Sequence, residues 1–108
     1  MLENSNNFNL IVTIVDKGVA EDVIELAKKG GAEGGTILNG RGAGCHDTAK
    51  ILGILIEPEK DVVLTLIEKE KTDTVLEFIA DGLELDKPGK GIAFVIEVPK
   101  VVGIVHKM

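Results

Sequence analysis

Apolar residues occur in two kinds of segment along the first half of the chain, and their order predicts a β-α-β unit. Residues 9–15 are almost wholly apolar, which predicts a strand covered by helices on one face and by protein on the other. From Val19 onward the spacing i, i+3, i+4, i+7 predicts a helix that Gly30 and Gly31 end. Residues 35–39 predict the next strand, and residues 40 to about 53 a loop. The helical stripe consists of Ala20, Val23, Ile24 and Ala27.

The second half repeats this order of segments. Residues 51–56 form a strand-like return from the loop, ended by Pro58, and residues 61–68 predict a full strand. A helix is predicted over 73–83 and a strand over 92–98, and a short edge strand over 101–105 follows Pro99. The whole chain therefore predicts a ferredoxin-like α+β fold, βαββαβ, with both helices on one face of an antiparallel sheet. The other face is also apolar, and self-association is the expected way to cover it.

Length and charge limit the function classes. The 108 residues are expected to form one domain, residues 1–108, with a tail over 1–8 and a loop over 41–53. A net charge of −6 without a basic cluster argues against binding to nucleic acid or to an anionic membrane. The single cysteine excludes an internal disulfide, and the first residues lack the pattern of a signal peptide, so we expect a cytoplasmic protein.

The candidate chemistry lies in a glycine-rich stretch over residues 34–46. Eight of the 13 glycines fall between Gly30 and Gly53, and the only arginine, Arg41, stands between Gly40 and Gly42. Glycine allows clustered backbone N–H groups to surround an anion, and a guanidinium suits phosphate or carboxylate. A second element, Gly89-Lys90-Gly91, precedes another strand. We interpret the two elements as parts of one anion site; the alternatives are a turn with a solvated arginine and a tight loop after Pro88.

Cys45, His46 and Asp47 raise the question of a metal or a nucleophilic thiol. A metal needs three or four converging ligands, which adjacent residues cannot supply by themselves. We therefore predict an exposed loop with no metal and no catalytic residue. The sequence contains no constellation of general base and nucleophile, so we expect a protein that is not an enzyme.

The sequence resembles the nitrogen-regulatory PII signalling family over residues 9–104. The resemblance depends on Gly34-Gly35-Thr36, on Gly40-Arg41-Gly42, and on the segment over 89–95, in the order that the family shows. It implies a homotrimer whose three clefts bind ATP, ADP or AMP between subunits. It also implies a mobile T-loop that docks on membrane transporters, metabolic enzymes or regulators, and thereby regulation of nitrogen utilisation.

Family roles transfer to individual positions. The resemblance places Gly34, Gly35 and Thr36 around the adenine, Gly40 and Arg41 at the base of the loop, and Lys60 at the start of the third strand. Gly89 and Gly91 match the phosphate-wrapping loop. The implied ligand-binding set is Gly34, Gly35, Thr36, Gly40, Arg41, Gly42, Lys60, Gly89, Lys90 and Gly91, and the implied partner-binding loop contains Ala43, Gly44, Cys45, His46, Asp47, Thr48 and Lys50.

The sequence departs from the family pattern at several of these positions. Ile92 replaces a lysine, and Gly103 and Val105 align with two arginines of the last strand, which removes charge-assisted contacts of roughly 1.5–3 kcal/mol each. This speaks against tight triphosphate binding and leaves a mono- or dinucleotide or another small anion. Gly42 replaces a glutamine that helps to hold magnesium and 2-oxoglutarate, so we do not expect typical 2-oxoglutarate sensing or a bound magnesium ion.

Covalent signalling through the loop is restricted in the same way. The chain has no tyrosine to uridylylate, and its only serine, Ser5, lies in the tail. We therefore expect a signal that passes through the occupancy of the ligand site or through less usual chemistry at Thr48, Lys50 or Cys45. The alternative is a nucleotide-blind trimer of the same fold that serves as an interaction module or binds metal through its loop.

Overall fold

The computed structural model describes residues 3–4, 7–42, 49–51, 54–56 and 58–103, with side chains at 7–42 and 58–103. Two α-helices and eight strands make up the described parts of the chain. In chain order they are β1 (Glu3–Asn4), β2 (Phe8–Asp16), α1 (Ala20–Lys29), β3 (Thr36–Arg41), β4 (Ala49–Ile51), β5 (Ile54–Ile56), β6 (Glu59–Glu68), α2 (Thr72–Leu83), β7 (Ile92–Glu97) and β8 (Lys100–Val101), with a 3-10 turn at Lys69–Lys71 before α2.

The main sheet has four strands in the order β3-β6-β2-β7, and all of its neighbours are antiparallel. The strands that a helix connects, β2 with β3 and β6 with β7, are thus each separated by one other strand, as in the split β-α-β arrangement. This confirms the predicted fold class. Two short antiparallel pairs, β1 with β8 and β4 with β5, accompany the main sheet.

The core lies between the two helices and one face of the sheet. Alternation along β2 and β6 points every second side chain toward the helices, and the apolar ones among these are almost fully buried. The helices contribute their own apolar stripes, as their spacing predicts. The central residues are Ile11, Val15, Val63 and Ile67 of the strands with Val23, Ala27, Val75 and Ile79 of the helices.

Both helices end in the same hydrogen-bonded motif. In α1 the N–H of Ala32 donates to the carbonyl of Ala27, while Gly31 adopts a φ of +117°. In α2 the N–H of Leu85 donates to the carbonyl of Ala80, while Glu84 adopts a φ of +57°. A left-handed residue followed by this 6→1 bond is a Schellman motif, and it confirms that the Gly30-Gly31 pair ends the first helix.

The structure corrects the predicted bounds of the loop and of the tail. Gly40 and Arg41 do not begin a loop but are the last residues of β3, because the long strand β6 extends far enough to pair with them. Within the predicted loop, Ala49–Ile51 pairs with Ile54–Ile56, so two short strands replace a single return segment. In the predicted tail, Glu3–Asn4 pairs with β8 and Phe8 is a buried residue of β2.

The last predicted strand is also shorter than expected. Only Val101 of its described residues lies in a strand, in β8, which begins one residue earlier at Lys100. Gly103 has a φ of +101°, which is incompatible with an extended strand. Residues 104 and 105 lie outside the described residues.

Candidate functional site

Four strand ends meet at one end of the main sheet, and two of the predicted anion elements lie there. Register places Asp16 of β2 beside Lys60 of β6, and Lys60 beside Gly40 of β3. On the other side of β2, Ile14 pairs with Ile92, the first residue of β7, so Gly89-Lys90-Gly91 enters the sheet at the same end.

These two elements are not brought together within one chain. Arg41 ends β3 and Gly91 precedes β7, and β3 and β7 are the two opposite edges of the sheet. Three strand spacings separate the edges, which is about 14 Å. The single site in two pieces that the sequence predicts is therefore not formed by adjacent strands of one chain.

The third predicted element lies elsewhere on the sheet. Thr36 is the first residue of β3 and pairs with Leu64 in the middle of β6, so it lies about 16 Å along the strand from Arg41. Gly35 packs tightly at this point, since an added Cβ would lie 3.2 Å from the carbonyl oxygen of Leu64. The segment Gly34-Gly35-Thr36 is thus not part of the same cluster in a single chain.

Charged side chains at this sheet end form two ion pairs. Lys60 Nζ lies 2.8 Å from Asp16 Oδ1, and Lys17 Nζ lies 2.7 Å from Glu59 Oε1. The hydrogen bond to Glu59 and its charge raise the pKa of Lys17. The same hydrogen bond and the charge of Lys17, with a smaller contribution from the charge of Arg41, lower the pKa of Glu59.

The two remaining cations at this end have no carboxylate of their own. Arg41 and Lys90 form no ion pair and no side-chain hydrogen bond with the parts of the chain that the structure describes. Both residues are exposed to solvent. Two unpaired cations, one at each edge of the sheet, are chemically suited to phosphate or carboxylate groups.

The glycines next to these cations differ in whether a Cβ would fit in their place. Gly91 has a φ of +132°, and an added Cβ would lie 2.8 Å from the carbonyl oxygen of Ile14. Gly40 and Gly42 have no positive φ, and an added Cβ would find an ordinary contact at 3.9 Å or open space. The fold of one chain therefore requires glycine at 91 and does not require it at 40 or 42.

Comparison with known proteins decides the family. The family model "Nitrogen regulatory protein P-II" matches residues 8–107. The chain belongs to the P-II family. Members of this family are regulatory signal proteins, and the resemblance inferred from the glycine elements is confirmed.

Solved structures support the same fold for this P-II family member. PII from Arabidopsis thaliana, bound to citrate, superposes with a TM-score of 0.70 at 23% identity and covers 92% of this chain and 84% of its own. The Bacillus subtilis GlnK–ATP complex gives 0.66 at 22% identity, with 90% and 86% covered. CutA from Synechococcus elongatus gives 0.69 at 13% identity, with 94% and 85% covered. No individually curated protein matches the sequence significantly.

Two ion pairs and one buried carboxylate at this sheet end were not predicted from the sequence. Asp61, in an acidic stretch that would be expected to be solvated, is buried at 6% exposure, and its Oδ2 accepts hydrogen bonds from the N–H groups of Gly18 and Ala20. Asp61 thereby satisfies free amides at the start of α1. The alternation of acidic and basic residues at the ends of β2 and β6 was the available signal for the two ion pairs.

The predicted partner-binding loop is largely outside the described residues, which exclude Ala43, Gly44, Cys45, His46, Asp47 and Thr48. Lys50 lies in β4, and its backbone alone is described. Within the described ranges no group of three potential metal ligands occurs, and no helix has the length and apolar character needed to cross a membrane.

Proposed function

We propose that this P-II family protein is a homotrimeric, non-enzymatic regulator that binds an adenine nucleotide or a similar small anion between its subunits. Occupancy of that site would change the interaction of the segment between β3 and β6 with a membrane transporter or an enzyme of nitrogen or carbon metabolism. The single cysteine fits action in the cytoplasm.

One observation supports this proposal above the others. Among the described residues, Arg41 and Lys90 are unpaired cations at the same end of the sheet but on its opposite edges. We propose that in the assembly one anion contacts Arg41 of one chain and Lys90 of another.

The open face of the sheet supplies a reason to assemble. Alternation places apolar side chains of all four strands opposite the helices, and several are substantially exposed, such as Ile92 at 55% and Leu38 at 46%. An apolar surface of this size is unfavourable in water. The side chains on this face are Leu10, Val12, Ile14, Leu38, Val62, Leu64, Leu66, Ile92, Phe94 and Ile96.

The glycines support a ligand or a neighbouring chain close to the backbone. Since the fold of one chain does not require glycine at 40 and 42, we infer that something outside the chain approaches there. Backbone N–H groups without a side chain are a common way to surround phosphate. Gly89, with a φ of +78°, supplies a loop of the same kind at the other edge.

The charge available favours a ligand with few phosphates. Where the family has a lysine after the second glycine, this chain has the exposed apolar Ile92, and Gly103 stands where the family has an arginine. We therefore propose ADP, AMP or a small carboxylate before ATP. Citrate in Arabidopsis PII and ATP in Bacillus GlnK make these compounds reasonable probes.

The same replacements favour one alternative. A trimer that has lost nucleotide recognition would keep the apolar sheet face while losing the phosphate contacts, and it would act as a constitutive interaction module or bind metal through its loop. Stability shifts with zinc or copper but not with nucleotides would favour this alternative.

Calorimetry with ATP, ADP, AMP and citrate tests the proposal. We expect binding by the natural chain, and a ten- to hundredfold loss in Arg41→Ala, which is about what a charge-assisted contact of 1.5–3 kcal/mol supplies. Lys71→Ala removes an equal charge at the other end of the sheet and serves as the control.

Glycine variants sharpen this test. Gly40→Ala and Gly42→Ala should keep the thermal stability of the natural chain but lose affinity, whereas Gly91→Ala should lower stability because its Cβ collides with Ile14. No binding of any probe at millimolar concentration would exclude the proposed anion site and leave the nucleotide-blind alternative.

A further inference from the structure

Three charged residues form a row across the sheet end, with a carboxylate between two cations. Glu59 is the first residue of β6, Arg41 is its register partner on β3, and Lys17 follows the end of β2 on the other side. The backbone N–H of Lys17 donates to the carbonyl of Glu59 at 3.3 Å, which fixes these two residues as neighbours. The Glu59 carboxylate can therefore pair with a cation on either side.

In the structure, the Glu59 carboxylate pairs with Lys17. Lys17 Nζ lies 2.7 Å from Glu59 Oε1, and Arg41 forms no ion pair among the described residues. Opposite charges directly across two strands attract each other. Without Lys17, Arg41 would be the remaining cation beside the Glu59 carboxylate in this row.

The pKa of Glu59 is consistent with this competition. Its lowering comes first from the hydrogen bond to Lys17 and the charge of Lys17, and then in part from the charge of Arg41. Glu59 thus interacts with both cations while its hydrogen bond goes to one.

We propose that Lys17 is a positioning residue for anion binding, because it holds the Glu59 carboxylate on the β2 side and leaves the Arg41 guanidinium free for the ligand. This inference rests on the proposed function of Arg41. An anion that approaches Arg41 then does not have to displace an internal carboxylate.

In the neighbouring row of charges, β3 contributes no charged side chain, so the proposed effect of Lys17 concerns Arg41. Lys60 of β6 pairs with Asp16 of β2, and the β3 residue beside Lys60 is Gly40, which has no side chain. Arg41 is thus the one charged residue of β3. The ion pairs Lys17–Glu59 and Lys60–Asp16 compensate their own charges in these two rows, and the remaining cation in the rows is Arg41.

Calorimetry with ADP and citrate tests the positioning role. Lys17→Ala should weaken binding about two- to fivefold, the range of an exposed ion pair with which the anion must now compete. Lys17→Arg should keep the natural affinity, and Lys17→Ala/Glu59→Gln should restore it. Lys17→Ala/Glu21→Gln restores the net charge nearby but retains Glu59, so it should remain weak, and Lys71→Ala should bind like the natural chain.

A carboxyl NMR titration without ligand provides an independent measurement. In Lys17→Ala we expect the pKa of Glu59 to stay below its ordinary value, since Arg41 becomes its partner. In Lys17→Ala/Arg41→Ala the pKa should return to the ordinary range. A return already in Lys17→Ala would overturn the inference.

The two possible failures can be told apart. If the natural chain binds no probe, the proposed function fails, and a positioning role for ligand binding fails with it, whatever the titration gives. If the natural chain and Lys17→Ala bind equally well, the anion site stands and the role of Lys17 is refuted.

Discussion

At the residue scale, the interior contains polar side chains that are not all satisfied. Among the described residues, Asn9 Oδ1, Thr13 Oγ1 and Thr65 Oγ1 are buried without a hydrogen-bond partner. Thr72, by contrast, accepts a hydrogen bond from Asn9 Nδ2 and donates one to the carbonyl of Glu68, both at 3.1 Å. A buried hydroxyl without a partner destabilises the folded state, whereas a bonded one does not.

Valine substitutions should therefore have opposite effects at these threonines. We expect Thr13→Val and Thr65→Val each to raise the free energy of unfolding by about 1 kcal/mol, because they remove an unsatisfied hydroxyl. Thr72→Val should lower it by about 1–2 kcal/mol, because Asn9 loses its partner. Urea denaturation measures all three, and a destabilised Thr13→Val would indicate a hydrogen-bonded water at that hydroxyl.

At the element scale, the two helices end in the same motif with different residues. Gly31 occupies the left-handed position of the first Schellman motif and Glu84 that of the second. Glycine adopts this conformation without strain, whereas a residue with a Cβ does so at a cost of about 1 kcal/mol. The second helix end is therefore less stable than the first.

Glu84→Gly should raise the free energy of unfolding by about 0.5–1 kcal/mol, since relief of strain exceeds the added freedom of the unfolded chain. Glu84→Ala is the matched control: it removes the exposed ion pair with Lys87 but keeps the strain, so its stability should hardly change. Gly31→Ala should be destabilised by more than about 1 kcal/mol. Equal stability of Glu84→Gly and Glu84→Ala would contradict this explanation.

At the scale of the whole molecule, helices cover one face of the sheet, whereas apolar side chains of the edge strands and of β6 on the other face are substantially exposed, such as Leu38, Leu66 and Phe94. The same strands supply a buried face and an apolar open face, because both alternating sets of side chains are apolar. Such strands are typical of sheets covered on both sides. The second cover is therefore expected to be another copy of the chain.

A matched pair of phenylalanines tests this assembly. Phe94 lies on the open face and Phe78 on α2, and each is 40% exposed. Phe94→Glu should convert the proposed trimer to monomers, because it would place a charge in the proposed interface, whereas Phe78→Glu should leave the assembly intact. Sedimentation velocity gives the mass of each variant, and a monomeric natural chain would refute the proposed assembly.

The order of the elements followed from sequence because local spacing determines it. The stripe from Ala20 to Ala27 and the continuous run before Asp16 correspond to α1 and β2 within a residue or two. The end of β3 did not follow in this way. Gly40 and Arg41 have no strand pattern of their own and become a strand only because β6 lies beside them.

Residue types and their spacing were enough to predict an arginine between glycines, a lysine between two more, and strands apolar on both faces. The folded chain was needed to show that Arg41 and Lys90 share one end of the sheet on opposite edges, that Lys17 rather than Arg41 pairs with Glu59, and that contacts within the described residues require glycine at 91 but not at 40 or 42. Spacing along the chain determines local conformation, whereas strand order and register determine which distant charges become neighbours.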